Sequence, residues 1–282
     1  MNEALTINKM ARYEKALKHK EILSGRVSSI EEHMPYGQKM SCAIVELDHG
    51  LKGMIYESQF DSQQYRSLVG FVDHTIDFMV LDVKQQGLDA GLQVFDKENG
   101  IVLLSRIQAL EVLRENFWSL PDEELIDHVV VGAVSGFEDR AIYLLVNGVD
   151  CYLSKKDYEY DWNESMKKKL PLGAKVTVKI KEIDRDKGRV HVSRKELMEN
   201  PWDRVHENFG VGNFYSGKVI NEVQGTGLFV KVKPGIHALC WFPNRRPEGS
   251  LLGKSVTVRV KSINKDTQRM AGNIVSFPHE VY

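Results

Sequence analysis

The chain of 282 residues has room for two or three small domains, and its 42% hydrophobic and 27% charged residues are typical of a soluble globular protein. No apolar run approaches the roughly 20 residues that span a bilayer, and the N-terminal stretch lacks the apolar core of a signal peptide. Three cysteines stand far apart without a CxxC pair, which excludes a disulfide framework or a cysteine zinc site and predicts a cytoplasmic protein with no membrane association.

The charge is distributed unevenly although the net charge is only −1. Residues 1–150 hold 14 Lys+Arg against 24 Asp+Glu, a balance of −10, whereas residues 151–282 hold 24 against 15, a balance of +9. The asymmetry predicts that a polyanionic partner binds the C-terminal half. The alternative is that both halves are merely solvated.

The first predicted element is an N-terminal helix within residues 1–24. Apolar side chains at Leu5, Met10, Tyr13, Ala16 and Leu17 are interleaved with Lys and Glu at helical spacing. One face of this helix is therefore expected to pack on the domain that follows.

One sequence pattern then occurs three times, which sets the unit of folding. Each copy has a Gly-x-Val opening, a short apolar strand, a glycine turn and a long alternating strand. The copies open at Gly25-Arg26-Val27, Gly132-Ala133-Val134 and Gly217-Lys218-Val219.

The third copy shows five short strands with period-two alternation, separated by turns such as Lys233-Pro234-Gly235. Five strands in about 60 residues with little helix predict a closed barrel, which leaves no free sheet edge. After the first two copies the chain runs through predicted helices toward Trp118 and Trp202, and we expect both rings to pack against the next barrel. The predicted organisation is an N-terminal helix (1–24), a degenerate barrel (25–107), a helical linker (108–128), a barrel (129–195), a helical linker (196–214), a barrel (215–277) and a tail (278–282).

At these residues the chain resembles the S1 domain family of five-stranded, oligonucleotide-binding (OB-fold) barrels. The stretches that carry the resemblance are Gly217-Lys218-Val219, Gly227-Leu228-Phe229-Val230, Glu182-Ile183-Asp184-Arg185-Asp186, Arg189-Val190-His191-Val192-Ser193 and Glu199-Asn200-Pro201-Trp202. The resemblance implies a mainly β fold of three tandem S1-type barrels joined by short helical linkers. It also implies that RNA lies across strands two and three, beside an arginine near the start of strand five.

The family positions fall on different residue types in the three copies. The strand-two aromatic falls on Phe229 and Tyr143, and the strand-three histidine position falls on Trp241 and near Ser154. In copy one the corresponding residues are Ile44, Tyr56 and, for the strand-five arginine, Ile101. RNA binding is therefore expected from copies two and three, and protein docking from copy one.

Strand four adds a row of outward cations in copies two and three that copy one lacks. Such lysines also keep a strand soluble, and strand four can lie off the stacking surface. The candidate RNA-binding residues are Phe229, Trp241, Arg269, Lys231, Arg245, Arg246, Tyr143, Arg189, Lys179, Lys181, Arg259 and Lys261.

No phosphate loop, zinc-protease helix or nucleophile motif is readable, so the sequence predicts a non-enzymatic protein without a cofactor or metal. The expected partner is single-stranded RNA, with the small ribosomal subunit or another protein at the N-terminal barrel. A regulator of gene expression, an accessory subunit of an RNA-processing enzyme and a single-stranded DNA binder remain alternatives.

Overall fold

The structure is a computed structural model that describes residues 2–33, 39–62, 65–84, 92–160, 170–241 and 249–277. Arg245 and Arg246, two of the predicted RNA contacts, lie outside the described residues. The predicted mainly β fold built from five-stranded barrels is confirmed.

The first repeat forms a six-stranded sheet in the order β3-β2-β1-β4-β6-β5, and β3 also pairs with β6, which joins the sheet into a ring. Its strands are β1 (Leu23–His33), β2 (Met40–Glu46), β3 (Lys52–Tyr56), β4 (Thr75–Val80), β5 (Phe95–Asp96) and β6 (Ile101–Ser105). We call this sheet barrel one.

The second and third repeats form closed five-stranded barrels, called barrel two and barrel three. Barrel two has the strand order β10-β11-β9-β8-β7 and barrel three the order β12-β13-β14-β16-β15. The strands of barrel two are β7 (Val129–Phe137), β8 (Ala141–Val146), β9 (Val149–Ser154), β10 (Lys175–Asp184) and β11 (Arg189–Ser193). Those of barrel three are β12 (Phe214–Val223), β13 (Gly227–Lys233), β14 (Ile236–Trp241), β15 (Ser255–Asn264) and β16 (Arg269–Ser276).

Helices lie before, between and within the barrels. They are α1 (Asn2–His19), α2 (Arg106–Ser119), α3 (Asp122–Leu125), α4 (Lys155–Tyr158) and α5 (Val205–Asn208), and 3-10 turns cover Asp48–Gly50, Glu57–Gln59, Leu68–Phe71 and Lys195–Leu197. Met10, Tyr13 and Ala16 of α1 are buried in the core of barrel one, as the helical spacing predicts. None of the described helices combines the length and the apolarity that a bilayer crossing requires.

The stretch 196–214, predicted as a helical linker, is mostly irregular. Proline at position 201 has no amide hydrogen to donate to a helical hydrogen bond. The next amide, that of Trp202, donates to the side chain of Asn200 (3.1 Å) instead of to a backbone carbonyl oxygen one helical turn earlier. By compactness the chain divides into two units, Met1–Tyr152 with Lys167–Val192 and Leu153–Met166 with Ser193–Tyr282.

Alternation along the strands fills the barrel cores. Val256, Val258 and Val260 of β15 are buried, and the residues between them point outward, as predicted. Trp202 is also buried in the core of barrel three, and its indole nitrogen donates to the Gly235 carbonyl oxygen (3.2 Å). The expected packing of this ring on the following barrel is confirmed.

Helix α2 is held against the turn between β8 and β9, where Gly148 has a φ of 76°. A Cβ at Gly148 would lie 2.8 Å from the Arg114 amide nitrogen and closer still to the Leu110 carbonyl oxygen. The Arg114 side chain donates to the Gly148 carbonyl oxygen (3.0 Å). Helix and turn therefore meet backbone to backbone at a position that only glycine fits.

Gly148→Ala should lower the free energy of unfolding by more than the roughly 1–2 kcal/mol that a left-handed alanine costs by itself. The excess arises because α2 has to move away from the turn. The matched control is Gly188→Ala, at φ 59° with no heavy atom within 4 Å of the added Cβ. Urea denaturation of both variants measures the difference, and equal losses would show that the contact with α2 contributes nothing.

All three cysteines are buried, and burial is the main cause that raises the pKa of Cys42, Cys151 and Cys240 to about 12. At pH 8 this lowers the thiolate fraction roughly a thousandfold below that of a thiol with its ordinary pKa. We therefore expect a disulfide exchange reagent to label the native chain slowly and the chain in guanidinium rapidly at three sites. Fast labelling of the native chain at pH 8 would contradict the buried positions.

Candidate functional site

Three rings lie side by side on the outer surface of barrel two. The ring centroids of Tyr143 and Tyr152 are 5.9 Å apart with an interplanar angle of 69°, and those of Tyr152 and His191 are 5.3 Å apart at 65°. The three residues come from the adjacent strands β8, β9 and β11, and each ring is half-buried. We call this set the ring row.

The pleat and the strand order place these rings together. Ile142 and Leu144 point into the core on either side of Tyr143, and Val190 and Val192 do the same around His191. Because β9 and β11 run parallel with His191 opposite Tyr152, the two outward rings meet. The ring row is thus the direct product of period-two alternation in a closed barrel.

Charged groups border the ring row at Tyr143. The Tyr143 hydroxyl donates to the Glu138 carboxylate (3.0 Å), and burial first, followed by that carboxylate, raises the pKa of Tyr143. The positive charge of Arg189, an exposed residue at the start of β11, lowers the pKa of Tyr143 and so opposes these two effects. The site therefore combines flat ring surfaces with a nearby exposed guanidinium.

Two members of the ring row were not among the predicted contacts. The sequence assignment placed the strand-three position near Ser154, whose hydroxyl instead accepts from the Asp157 amide (3.2 Å). The alternation of Val149 and Cys151 inward already indicates that Tyr152 points outward. His191 was not among the candidates, because its neighbour Tyr152 is on a strand far away in sequence.

Barrel three has a different set of side chains at the positions of the ring row. Phe229 on β13 is opposite Leu239 on β14, which is opposite Ala271 on β16. Trp241 lies two residues beyond Leu239 on the same outer surface and has 65% of its surface exposed, whereas Phe229 is half-buried. The predicted pair Phe229 and Trp241 therefore shares one surface as diagonal neighbours.

The other predicted residues of β13 and β16 border this surface. Lys231 points outward opposite His237. Arg269 is exposed at the start of β16, the strand that runs parallel to β14. A cation therefore accompanies the aromatic surface of barrel three at the same strand position as Arg189 in barrel two.

The predicted strand-four cations lie away from the strand-two and strand-three surface. In barrel three, Arg259 and Lys261 belong to β15, which pairs with β12 and β16 and not with β13 or β14. In barrel two, Lys181 is exposed on β10, and Lys179 forms an ion pair with Asp127 (2.7 Å). The cations of strand four are thus not part of the ring row, and their charge reaches its rings only as a long-range field.

Barrel one closes the equivalent surface with its own chain. Its counterparts of the ring row are Ile44, Met54 and Leu103, which are only 3%, 5% and 6% exposed. They form an apolar cluster outside the barrel core, together with Cys42 and Leu81 and with the partly buried Tyr56, Leu92, Val94 and Ile101. The Leu103 amide donates to the Val94 carbonyl oxygen (2.9 Å). This hydrogen bond holds the segment that contains Leu92 and Val94 against β6. Among the described residues of barrel one, no surface equivalent to the ring row is open to solvent.

Within the described ranges, no group of three or more His, Cys, Asp or Glu side chains is arranged to hold a metal ion.

Curated proteins of known name match most of the chain. The small ribosomal subunit protein bS1 of Streptococcus pneumoniae is 27% identical over 237 residues, covering 80% of this chain and 55% of that protein. The bS1 of Staphylococcus saprophyticus is 24% identical over 266 residues, covering 89% of this chain and 65% of that protein. A 4-hydroxy-3-methylbut-2-enyl diphosphate reductase of Clostridium acetobutylicum is 26% identical over 171 residues, covering 58% of this chain and 26% of the reductase.

Similarity to solved structures is low over the whole chain. A multidomain protein with nucleic acid binding domains from Streptococcus pneumoniae has a TM-score of 0.21 and 12% identity, covering 91% of this chain and 73% of that one. The solution structure of GSP13 from Bacillus subtilis has a TM-score of 0.25 and 18% identity, covering 27% and 59%. Scores this low carry no argument about function.

No protein-family model matches the chain. The chain spans about half the length of the bS1 proteins at the head of the comparison, between 40% and 55%. The resemblance that the sequence predicts is nevertheless confirmed by these relatives: the chain is similar to the ribosomal protein bS1 family over most of its length.

Proposed function

We propose that this chain is a non-enzymatic protein that binds single-stranded RNA on the outer surfaces of barrels two and three. The observation that carries the proposal is the ring row, in which Tyr143, Tyr152 and His191 follow one another at 5.9 and 5.3 Å. Unpaired bases stack on flat apolar surfaces, and each stacked base contributes about 1–3 kcal/mol to the binding free energy, as alanine substitution measures it.

Exposed cations supply the second requirement of a polynucleotide site. Arg189 and Arg269 each begin strand five of their barrels and are exposed to solvent. A guanidinium at this position neutralises phosphate and releases condensed counterions. The excess of basic residues in the C-terminal half provides the same attraction at longer range.

The bS1 relatives support a role in translation with the small ribosomal subunit as a partner, in the cytoplasm. The match to the reductase covers about a quarter of that enzyme, so it gives little support to an enzymatic role. Sedimentation of the chain with ribosomal subunits distinguishes a ribosomal role from a regulatory one.

Barrel one is proposed to dock a protein rather than RNA. Residues 25–107 hold 7 Lys+Arg against 12 Asp+Glu, a balance of −5, which repels phosphate. The surface that corresponds to the ring row is also filled by Ile44, Met54 and Leu103. A protein partner would therefore contact other parts of this barrel.

The double variant Tyr143→Ala with Tyr152→Ala should weaken the binding of an unstructured RNA by at least about tenfold, because two stacking surfaces are lost. Phe229→Ala with Trp241→Ala should cost a similar factor in barrel three. Fluorescence anisotropy of a labelled oligonucleotide measures both.

The matched control for these truncations is Val69→Ala in barrel one, a side chain that is 62% exposed. It should leave the affinity unchanged. Unchanged affinity in both double variants, with the thermal midpoint preserved, would remove the proposed surface.

Arg189→Gln and Arg269→Gln should each flatten the dependence of log K on log salt by about 0.7, the value for one phosphate contact on a single strand. Arg26→Gln is the control, because this guanidinium in barrel one pairs with Asp73 (2.6 Å). Titrations at several salt concentrations give the slopes. Equal slopes for the wild type and all three variants would show that neither arginine contacts the RNA backbone.

A further inference from the structure

A row of four outward side chains crosses barrel three from β14 to β12. The pairing sets Trp241 beside Asn273, Asn273 opposite Arg259, and Arg259 opposite Phe214. Their neighbours along the strands, such as Val258 and Cys240, point into the core. We call these four residues the barrel-three strip.

Both ends of the barrel-three strip are exposed aromatic rings. Trp241 is 65% exposed and Phe214 is 61% exposed, whereas most large apolar side chains of barrel three fill its core. The Arg259 guanidinium carbon lies 5.8 Å from the Phe214 ring centroid. A flat cation over a flat ring is a combination that also accepts a nucleotide base and its phosphate.

The position of Arg259 is fixed by the backbone beside it. Its Nε donates to the Gly212 carbonyl oxygen (3.3 Å), and the Gly212 amide donates to the Val260 carbonyl oxygen (2.8 Å). Among the described residues no carboxylate pairs with this guanidinium. Within that part of the chain, its charge is not neutralised by an acidic side chain.

The strands that carry the middle of the strip are free of acidic residues. The sequences of β15 (Ser255–Asn264) and β16 (Arg269–Ser276) contain Arg259, Lys261 and Arg269 and no Asp or Glu. With its amide oriented to satisfy both neighbours, Asn273 accepts from the Lys261 ammonium group (3.3 Å) and donates to the Gly272 carbonyl oxygen (3.2 Å). The middle of the strip thus lies on strands that carry only basic charges, which favours a polyanion.

Barrel two lacks this arrangement at the same register. The residue that corresponds to Phe214 is Val129, and it is opposite Lys179, which is ion-paired with Asp127. Neither the exposed ring nor the available cation is present there. The barrel-three strip is therefore a feature of one barrel and does not follow from the fold alone.

We propose that the barrel-three strip is a second RNA-contacting surface, on which a single strand that leaves Trp241 crosses β16 and β15 and stacks a further base on Phe214 beside Arg259. The inference rests on the proposed RNA-binding function. Three strand spacings of about 4.8 Å separate Trp241 from Phe214 along the sheet, roughly 14 Å, so the two rings serve different nucleotides. Barrel three then holds a longer strand than the surface of β13 and β14 alone.

The test compares a short and a long unstructured RNA, of about 4 and about 12 nucleotides, which both lie within the site sizes of roughly 4–16 nucleotides known for single barrels of this kind. Phe214→Ala in the full chain should weaken binding of the long RNA by at least about fivefold and leave binding of the short RNA unchanged. Arg259→Gln should flatten the salt dependence for the long RNA by about 0.7. The control is Leu252→Ala, a side chain of barrel three that is 59% exposed and lies outside the strip.

The outcomes separate this inference from the function on which it rests. If the wild type binds neither RNA, the proposed function fails. If the wild type binds both, but Phe214→Ala behaves like Leu252→Ala or weakens the short and the long RNA equally, the second surface is overturned while RNA binding stands. Thermal melts of each variant, expected to match the wild type because Phe214 is exposed, verify that the comparison is made on folded protein.

Discussion

In the closed sheets of this protein, strand residues alternate between positions that fill a core and positions that face outward. All the surfaces described above depend on that alternation. In barrels two and three the inward positions are taken by small and branched apolar residues such as Val176, Val178 and Val256. Because the ring of strands is closed, an outward side chain has neighbours on both sides. A few substitutions on the outside can therefore build a continuous surface without disturbing the core.

The three barrels use the same three outward positions in different ways. Barrel two holds the rings Tyr143, Tyr152 and His191, whereas barrel three holds Phe229 and two aliphatic residues and places its exposed ring at Trp241. Barrel one holds aliphatic side chains there and covers them with its own chain. Burial of this second cluster contributes to stability, at roughly 25 cal/mol for each Å² of apolar surface removed from water.

Much of the fold follows from local sequence signals. The repeated glycines, the alternation along strands and the helical spacing of Met10, Tyr13 and Ala16 are all readable without a structure, and burial agrees with them. The candidate residues that sequence reasoning missed depend instead on the pairing of strands that are distant in sequence. Tyr152 and His191 come together only through the parallel pairing of β9 with β11, and Phe214 meets Arg259 only through the pairing of β12 with β15. Periodicity gives the direction of a side chain but not its neighbour across the sheet, and the cover over barrel one likewise depends on long-range contacts.

The burial of Trp202 affects how barrel three can be separated from the rest of the chain. Trp202, Val205 and Phe209 precede the first strand of this barrel, yet they belong to its core. A fragment that starts at residue 215 would lose all three, and loss of one large buried aromatic side chain costs about 3–5 kcal/mol. Such a fragment would have an open apolar cavity and tend to aggregate, whereas a fragment that starts near Ser193 keeps these three side chains. The segment before the first strand is thus better regarded as part of barrel three than as a linker.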